Sequence, residues 1–198
     1  MDQSRSARQE RKTNETHIIV EINLDGRGEA SIRSGSGFFD HMLELFTKHG
    51  RFDLTVNCTG DTQVDLHHFI EDIGICLGKA ILSALGEKRG IKRYGMAELP
   101  MDEALAKVVL DLGGRPFLVY NVDLSRERIN DFDCELAEDF FRALSDNGRM
   151  NIHIDLLRGR NAHHSLEAIF KAFARALRDA VDLDSRSENA IPSTKGML

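Results

Sequence analysis

The chain repeats itself, and the repeat limits what it can fold into. HGRFDLTV (49–56) and NGRMNIHI (147–154) share Gly-Arg followed by strand-like alternation at a separation of 98 residues, and HHFIE (67–71) and HHSLE (163–167) share His-His-x-x-Glu at a separation of 96. The two-residue difference falls between strand and helix, where loop length is readily tolerated. Apolar positions coincide under the second shift, Leu77 with Phe173 and Leu85 with Val181. A sequence of this kind is one supersecondary unit written twice, so each half constrains the reading of the other.

Within the unit, HIIVEINL (17–24) alternates as a strand, and DGRG (25–28) predicts a hairpin into EASIRS. FFDHMLELFTKHG predicts a short helix closed by Gly50, and FDLTVNC (52–58) a strand. A helix follows from Leu66, with Leu66, Ile70, Ile73, Leu77, Ile81 and Leu85 as its buried stripe. GEKRGIKRYG (86–95) reads as a loop, and ALAKVVLDL, GGRP and FLVYNVDL as a second hairpin. Residues 135–148 are expected to be helical and 150–157 a strand. A last helix begins near Ala162, with Leu166, Phe170, Phe173, Leu177 and Val181 inward. The expected fold is α+β, two β-β-α-β-α units with sheets packed on helices. The expected divisions are a mobile polar arm (1–13), a first half-repeat (14–95), a second (96–182) and a C-terminal tail (183–198).

A net charge of −6 argues against a broad nucleic-acid-binding surface. Cys58, Cys76 and Cys134 form no CxxC pair, which suits neither a disulfide framework nor a zinc–thiolate site. The first residues are polar, and no apolar run approaches the roughly 18 residues of a membrane span. A cytoplasmic protein without membrane partners is therefore expected.

Neighbouring residues on a helix point about 100° apart, whereas positions four apart share a face. His67 can thus join Glu71 on one ion, and His163 can join Glu167, while His68 and His164 point elsewhere. Such a doublet makes sense if each helix serves two metals. One site would take His67, Glu71 and His164, and the other His163, Glu167 and His68. Each still wants a further ligand. His41 in FFDHML is the candidate for one, and the 98-residue shift carries it to Asp139 for the other; His153, which aligns with Thr55 on a strand, ranks below Asp139. Imidazole and carboxylate without thiolate suit manganese, ferrous iron or zinc.

In order along the chain, RKTNETHI, LDGRG, GFFDHML, HGRFDL, HHFIEDIGICLGKA, GIKRYG, PMDEAL, GGRP, NAHHSLEAIFKAFARAL and PSTKG together resemble the imidazoleglycerol-phosphate dehydratases of histidine biosynthesis. The resemblance runs from about Arg11 to Leu198. It implies a duplicated fold similar to the second domain of ribosomal protein S5, a 24-subunit homo-oligomer with active sites between subunits, and two Mn²⁺ per site. The implied reaction dehydrates D-erythro-imidazole glycerol phosphate to imidazole acetol phosphate plus water. By the same resemblance Glu15 contacts substrate as an acid/base, with Glu71 and Glu167 the other catalytic carboxylates. Arg93, Arg115, Lys171, Ser193 and Lys195 form the phosphate-binding set, and His49 reaches the pocket. Three positions depart from the pattern: Asp139 where histidine is common, Gly113 where serine is usual, and SENA (187–190) in place of glycines.

The chemistry is coherent with that reading. The C–H to be lost is not acidic, and two cations flanking the imidazole would hold it as an imidazolate able to expel the neighbouring hydroxyl. The diazafulvene so formed makes the adjacent proton removable by a carboxylate. Two competing expectations are a two-metal phosphate-ester hydrolase and an assembly protein in which manganese only cements subunits. The latter leaves Glu15, Arg93, Arg115 and Lys195 without a task.

Overall fold

The computed structural model describes residues 5–60, 66–124, 127–187 and 190–198. The start of the expected arm and the middle of SENA lie outside the described residues. The first half runs β1 (Ser6–Lys12), β2 (Thr16–Asn23), β3 (Ala30–Arg33), α1 (Gly37–Gly50), β4 (Asp53–Gly60) and α2 (His67–Leu85). The second runs β5 (Tyr94–Met101), β6 (Ala104–Asp111), β7 (Phe117–Asn121), a two-residue pair β8 (Arg128–Ile129) and β9 (Phe132–Asp133), α3 (Leu136–Gly148), β10 (Asn151–Arg158) and α4 (Ala162–Val181).

The two sheets have the same order, β1-β2-β4-β3 and β5-β6-β10-β7. Their registers agree until a bulge between Leu156 and Arg158 shifts the end of β10 against β6. Asn23 faces Asp53 and Asp111 faces Asn151; Ala30 faces Leu54 and Leu118 faces Ile152; Ser6 faces Asn23 and Tyr94 faces Asp111. One shift of 88 residues relates the first two strands of each half, and one of 98 relates β4 to β10. The duplication is therefore structural as well as textual.

Strand alternation turns Ile18, Val20, Ile22, Leu54 and Val56 inward from one sheet, and Ala106, Val108, Leu110, Ile152 and Ile154 from the other. The helices fill the space between: α2 lies on β1 and β2 and packs on α3, while α4 lies on β5 and β6 and packs on α1. Phe39, Phe140, Phe141, Phe170 and Phe173 meet there with ring centroids 5.1–6.2 Å apart. Arg51 and Arg149, one shift apart, both take left-handed backbone to end α1 and α3.

The structure departs from three expectations. The arm is not mobile over residues 6–12: that segment is an edge strand paired with β2 from Ser6–Asn23 to Lys12–His17. It has no apolar face because polar bonds tie it to α2. Arg11 Nε donates to Asp72 Oδ1 at 2.7 Å, and Gln9 Nε2 donates to Ser83 at 3.2 Å. Its twin β5 begins inside the segment expected as a loop (86–95) and continues to Met101, so the unit is β-β-β-α-β-α.

Nor do DGRG and GGRP close hairpins. β4 lies between β2 and β3, and β10 between β6 and β7, because each helical crossover returns the chain parallel to the strand before it. The amides of Arg27, Gly28 and Glu29 donate to the Asp53 carboxylate at 2.7–3.1 Å, so the turn seats the start of β4 instead of reversing onto β3.

Candidate active site

α4 starts at an Asn161 cap, whose side chain accepts from His164 N–H at 3.2 Å. One turn in, His163 and Glu167 share the face that packs on α1, where Phe38 lies edge-on against the His163 ring at 5.3 Å. α1 brings His41 to the same spot. His163 Nε2 lies 3.3 Å and His41 Nε2 3.7 Å from Glu167 Oε2, and the three ligand atoms lie within 4.8 Å of one another. Lys171, a further turn along, donates to the other oxygen, Oε1. Burial alone would raise the Glu167 carboxyl, but Lys171, His41 and His163 outweigh it and hold the group below its ordinary value. Two imidazole nitrogens and one anionic oxygen, with no thiolate, form a donor set that fits a divalent manganese, iron or zinc ion.

The α2–α3 pair brings the equivalent residues near one another, but less closely. His67 Nδ1 lies 3.4 Å from Asp139 Oδ2 and its Nε2 4.0 Å from Glu71 Oε2. Asp139 therefore stands where the duplication puts it. His153 faces away: it sits on the outer, exposed side of β10, between inward Ile152 and Ile154.

The second histidine of each doublet turns to a different carboxylate. His68 Nδ1 lies 3.5 Å from Glu15 Oε2, and His164 Nδ1 lies 2.8 Å from Glu103 Oε2. The rings of each doublet are steeply inclined, at 73° for 67/68 and 83° for 163/164. The expected sharing of His164 with His67 and Glu71, or of His68 with His163 and Glu167, does not form inside one chain. Among the described residues, the one group of three with ligand atoms this close is His41, His163 and Glu167.

Glu103 was not foreseen. Its carboxyl is lowered to about 2 by the bond to His164 and by the backbone amide of Asn161, and the same bond raises the His164 pKa. The 88-residue shift from Glu15 was the signal that could have found it.

The cationic residues divide. Lys171 belongs to the α1–α4 cluster, and His49 is close by, its pKa lowered by burial and then by Lys171 and Arg175. Arg93 stands by the tail: its fork grips Asp111 at 2.7 and 3.1 Å, Nη1 donates to the Pro192 carbonyl at 2.8 Å, and the guanidinium lies 4.7 Å over Tyr94. A Cβ at Gly113 would stand 2.8 Å from Arg93 Nη2 and from Asp111 Oδ2, so glycine at this departure from the pattern leaves room for the pair. Arg115 is exposed two residues on, and Ser193 Oγ accepts from Lys195 N–H at 3.2 Å.

Comparison with known proteins agrees with this architecture. The family model described as imidazoleglycerol-phosphate dehydratase matches residues 34–177. A protein of that name from Exiguobacterium sp. is 53% identical over 194 residues, covering 98% of either chain, and one from Methylobacillus flagellatus is 52% identical over 198 residues, covering 100% of both. A crystal structure of the Staphylococcus aureus enzyme of that name superimposes with a TM-score of 0.80 at 44% identity, covering 90% of this chain and 99% of the other. One from Pyrococcus furiosus gives 0.80 at 36% identity, covering 96% and 100%.

Proposed function

The chain belongs to the imidazoleglycerol-phosphate dehydratase family, whose activity is that of a hydro-lyase, and from that premise we propose a manganese-dependent dehydration of D-erythro-imidazole glycerol phosphate to imidazole acetol phosphate. The observation that carries the metal reading is the convergence of His41, His163 and Glu167; His67 stands more loosely between Glu71 and Asp139, one on each ring nitrogen. When bound, Mn²⁺ supplies Lewis acidity toward the substrate's imidazole ring and holds it in place.

The side chains supply the rest. Lys171 anchors Glu167 by one oxygen, which leaves the other to face the imidazoles. Glu15, exposed beside His68, moves the proton that leaves carbon and returns as the enol becomes a ketone. The hydroxyl departs as water. Arg115, Ser193 and Lys195 recognise the phosphate dianion through charge and directed N–H and O–H bonds.

His68 and His164 would complete the coordination from a neighbouring copy, which would make the working enzyme a homo-oligomer. Self-association is supported by the outer face of the second sheet, where Tyr94, Met96, Phe117 and Leu157 are each at least half exposed.

The test supplies purified protein and substrate with and without Mn²⁺, following ketone and inorganic phosphate. Ketone appearing only with metal is expected. Phosphate in its place would make the protein a two-metal hydrolase, and neither product would reduce the clusters to structural cement.

A further inference from the structure

Under the 88-residue shift that superimposes β1–β2 on β5–β6, Glu15 and Glu103 are the same residue: each is the last residue of its turn, immediately before Thr16 or Ala104 opens the next strand. Under the 96-residue shift His68 and His164 are also the same residue. Each glutamate faces Nδ1 of its own half's second histidine, but the two contacts differ.

Glu15 holds back at 3.5 Å and its side chain is 65% exposed. Glu103 is anchored three ways. Oε2 bonds His164 Nδ1 at 2.8 Å, and Oε1 accepts the backbone N–H of Arg160 at 3.2 Å and of Asn161 at 2.8 Å. An ionised carboxylate only accepts hydrogen bonds, so the proton of the ring sits on Nδ1 and the lone pair is left on Nε2. Nε2 lies 3.8 Å from Asp102 Oδ2, on the turn that carries Glu103, with no closer protein partner among the described residues.

We propose that Glu103 is a positioning residue that locks His164 in the tautomer and orientation required for Nε2 to bind manganese. Duplication has thus given twin carboxylates two tasks, the loose one toward the substrate and the anchored one behind a ligand. A carboxylate behind a ligating imidazole both aims the ring and raises its basicity. The proposal rests on His164 being a ligand, as argued above.

Glutamine at 103 tests it sharply. Its carbonyl can keep the Arg160 and Asn161 amides, but its NH₂ then faces Nδ1 and favours the tautomer whose proton blocks Nε2. Free Mn²⁺ is followed by its aqueous electron paramagnetic resonance signal during titration of the metal-free oligomer, with melting temperature measured in parallel. His164→Ala is expected to abolish one class of Mn²⁺ site. Glu103→Gln is expected to keep the stoichiometry and weaken that class about 10- to 100-fold, with the metal-free melting temperature little changed.

The double variant Glu103→Gln/His164→Ala should bind Mn²⁺ as His164→Ala alone does. If Glu103→Gln binds manganese as the unmodified protein does while His164→Ala does not, the positioning role is overturned and the ligand assignment stands. If Glu103→Gln weakens the Mn²⁺ sites that remain in the His164→Ala background, Glu103 acts on the scaffold, and the role is again overturned. Should His164→Ala itself bind normally, the ligand assignment and the proposal both fail.

Discussion

Gly78→Ala should separate two helices and, with them, His67 and Glu71 from Asp139. Gly74 and Gly78 lie on the face of α2 that meets α3, and a Cβ on Gly78 would stand 2.7 Å from Leu144 O and from Gly148 N. Both are backbone atoms, so no side chain can swing aside. Reaching an ordinary contact of about 3.5 Å forces the helix axes apart by ~0.8 Å at that point. Overpacking of this kind costs about 1–3 kcal/mol, and the rigidity of the neighbours places this site at the upper end. The better helix propensity of alanine returns ~1 kcal/mol, leaving a net loss of about 2 kcal/mol.

The same displacement draws His67 and Glu71 on α2 away from Asp139 on α3, while His41, His163 and Glu167 on the α1–α4 pair stay together. At the twin positions α4 carries Phe170 and Ala174, both fully buried, so that pair is spaced by side chains already. Urea unfolding of metal-free protein and Mn²⁺ titration should therefore show lowered stability and weakening of one class of metal site. Gly37→Ala, whose Cβ meets nothing within 4 Å, is the control and should not destabilise. A Gly78→Ala protein as stable as its parent, with both classes of site intact, would refute the contact between backbones.

Two further outcomes follow from the site. His49 titrates below its ordinary value of 6.5 because burial, Lys171 and Arg175 disfavour the imidazolium. Since the unfolded chain takes up that proton first, the fold should lose stability as pH falls from 6.5 through the lowered folded value; denaturation at several pH values should show a shallower slope in His49→Gln, and an unchanged slope would count against it. Lys195→Ala should raise KM by about tenfold or more, the worth of one charge-assisted bond to phosphate, with Mn²⁺ binding unchanged. Loss of manganese with that substitution would remove Lys195 from the phosphate set.

Much of the site is legible in the sequence because its logic is local or periodic. Histidine doublets on a helix must splay, and residues four apart must share a face, whatever surrounds them. Asp139 was reachable because a duplicated unit carries its own key: the position of His41 in one half names its counterpart in the other. Glu103 was reachable by the same key but lacked any local sign, since its partners, His164 and two amides at the head of α4, come from the far end of the half-repeat.

The amino-acid order by itself determined the duplication, the four helices with their buried stripes, the inner strands and the inventory of ligand-type side chains, because each depends on contacts that recur at a fixed spacing along the chain. Only the tertiary structure decided that β1 and β5 are strands, that β4 and β10 slot between their neighbours, and that α1 delivers His41 to α4 while α3 delivers Asp139 to α2. Those facts rest on hydrogen bonds and close backbone approaches between segments distant in sequence, and such contacts leave no periodic trace in the residues that make them.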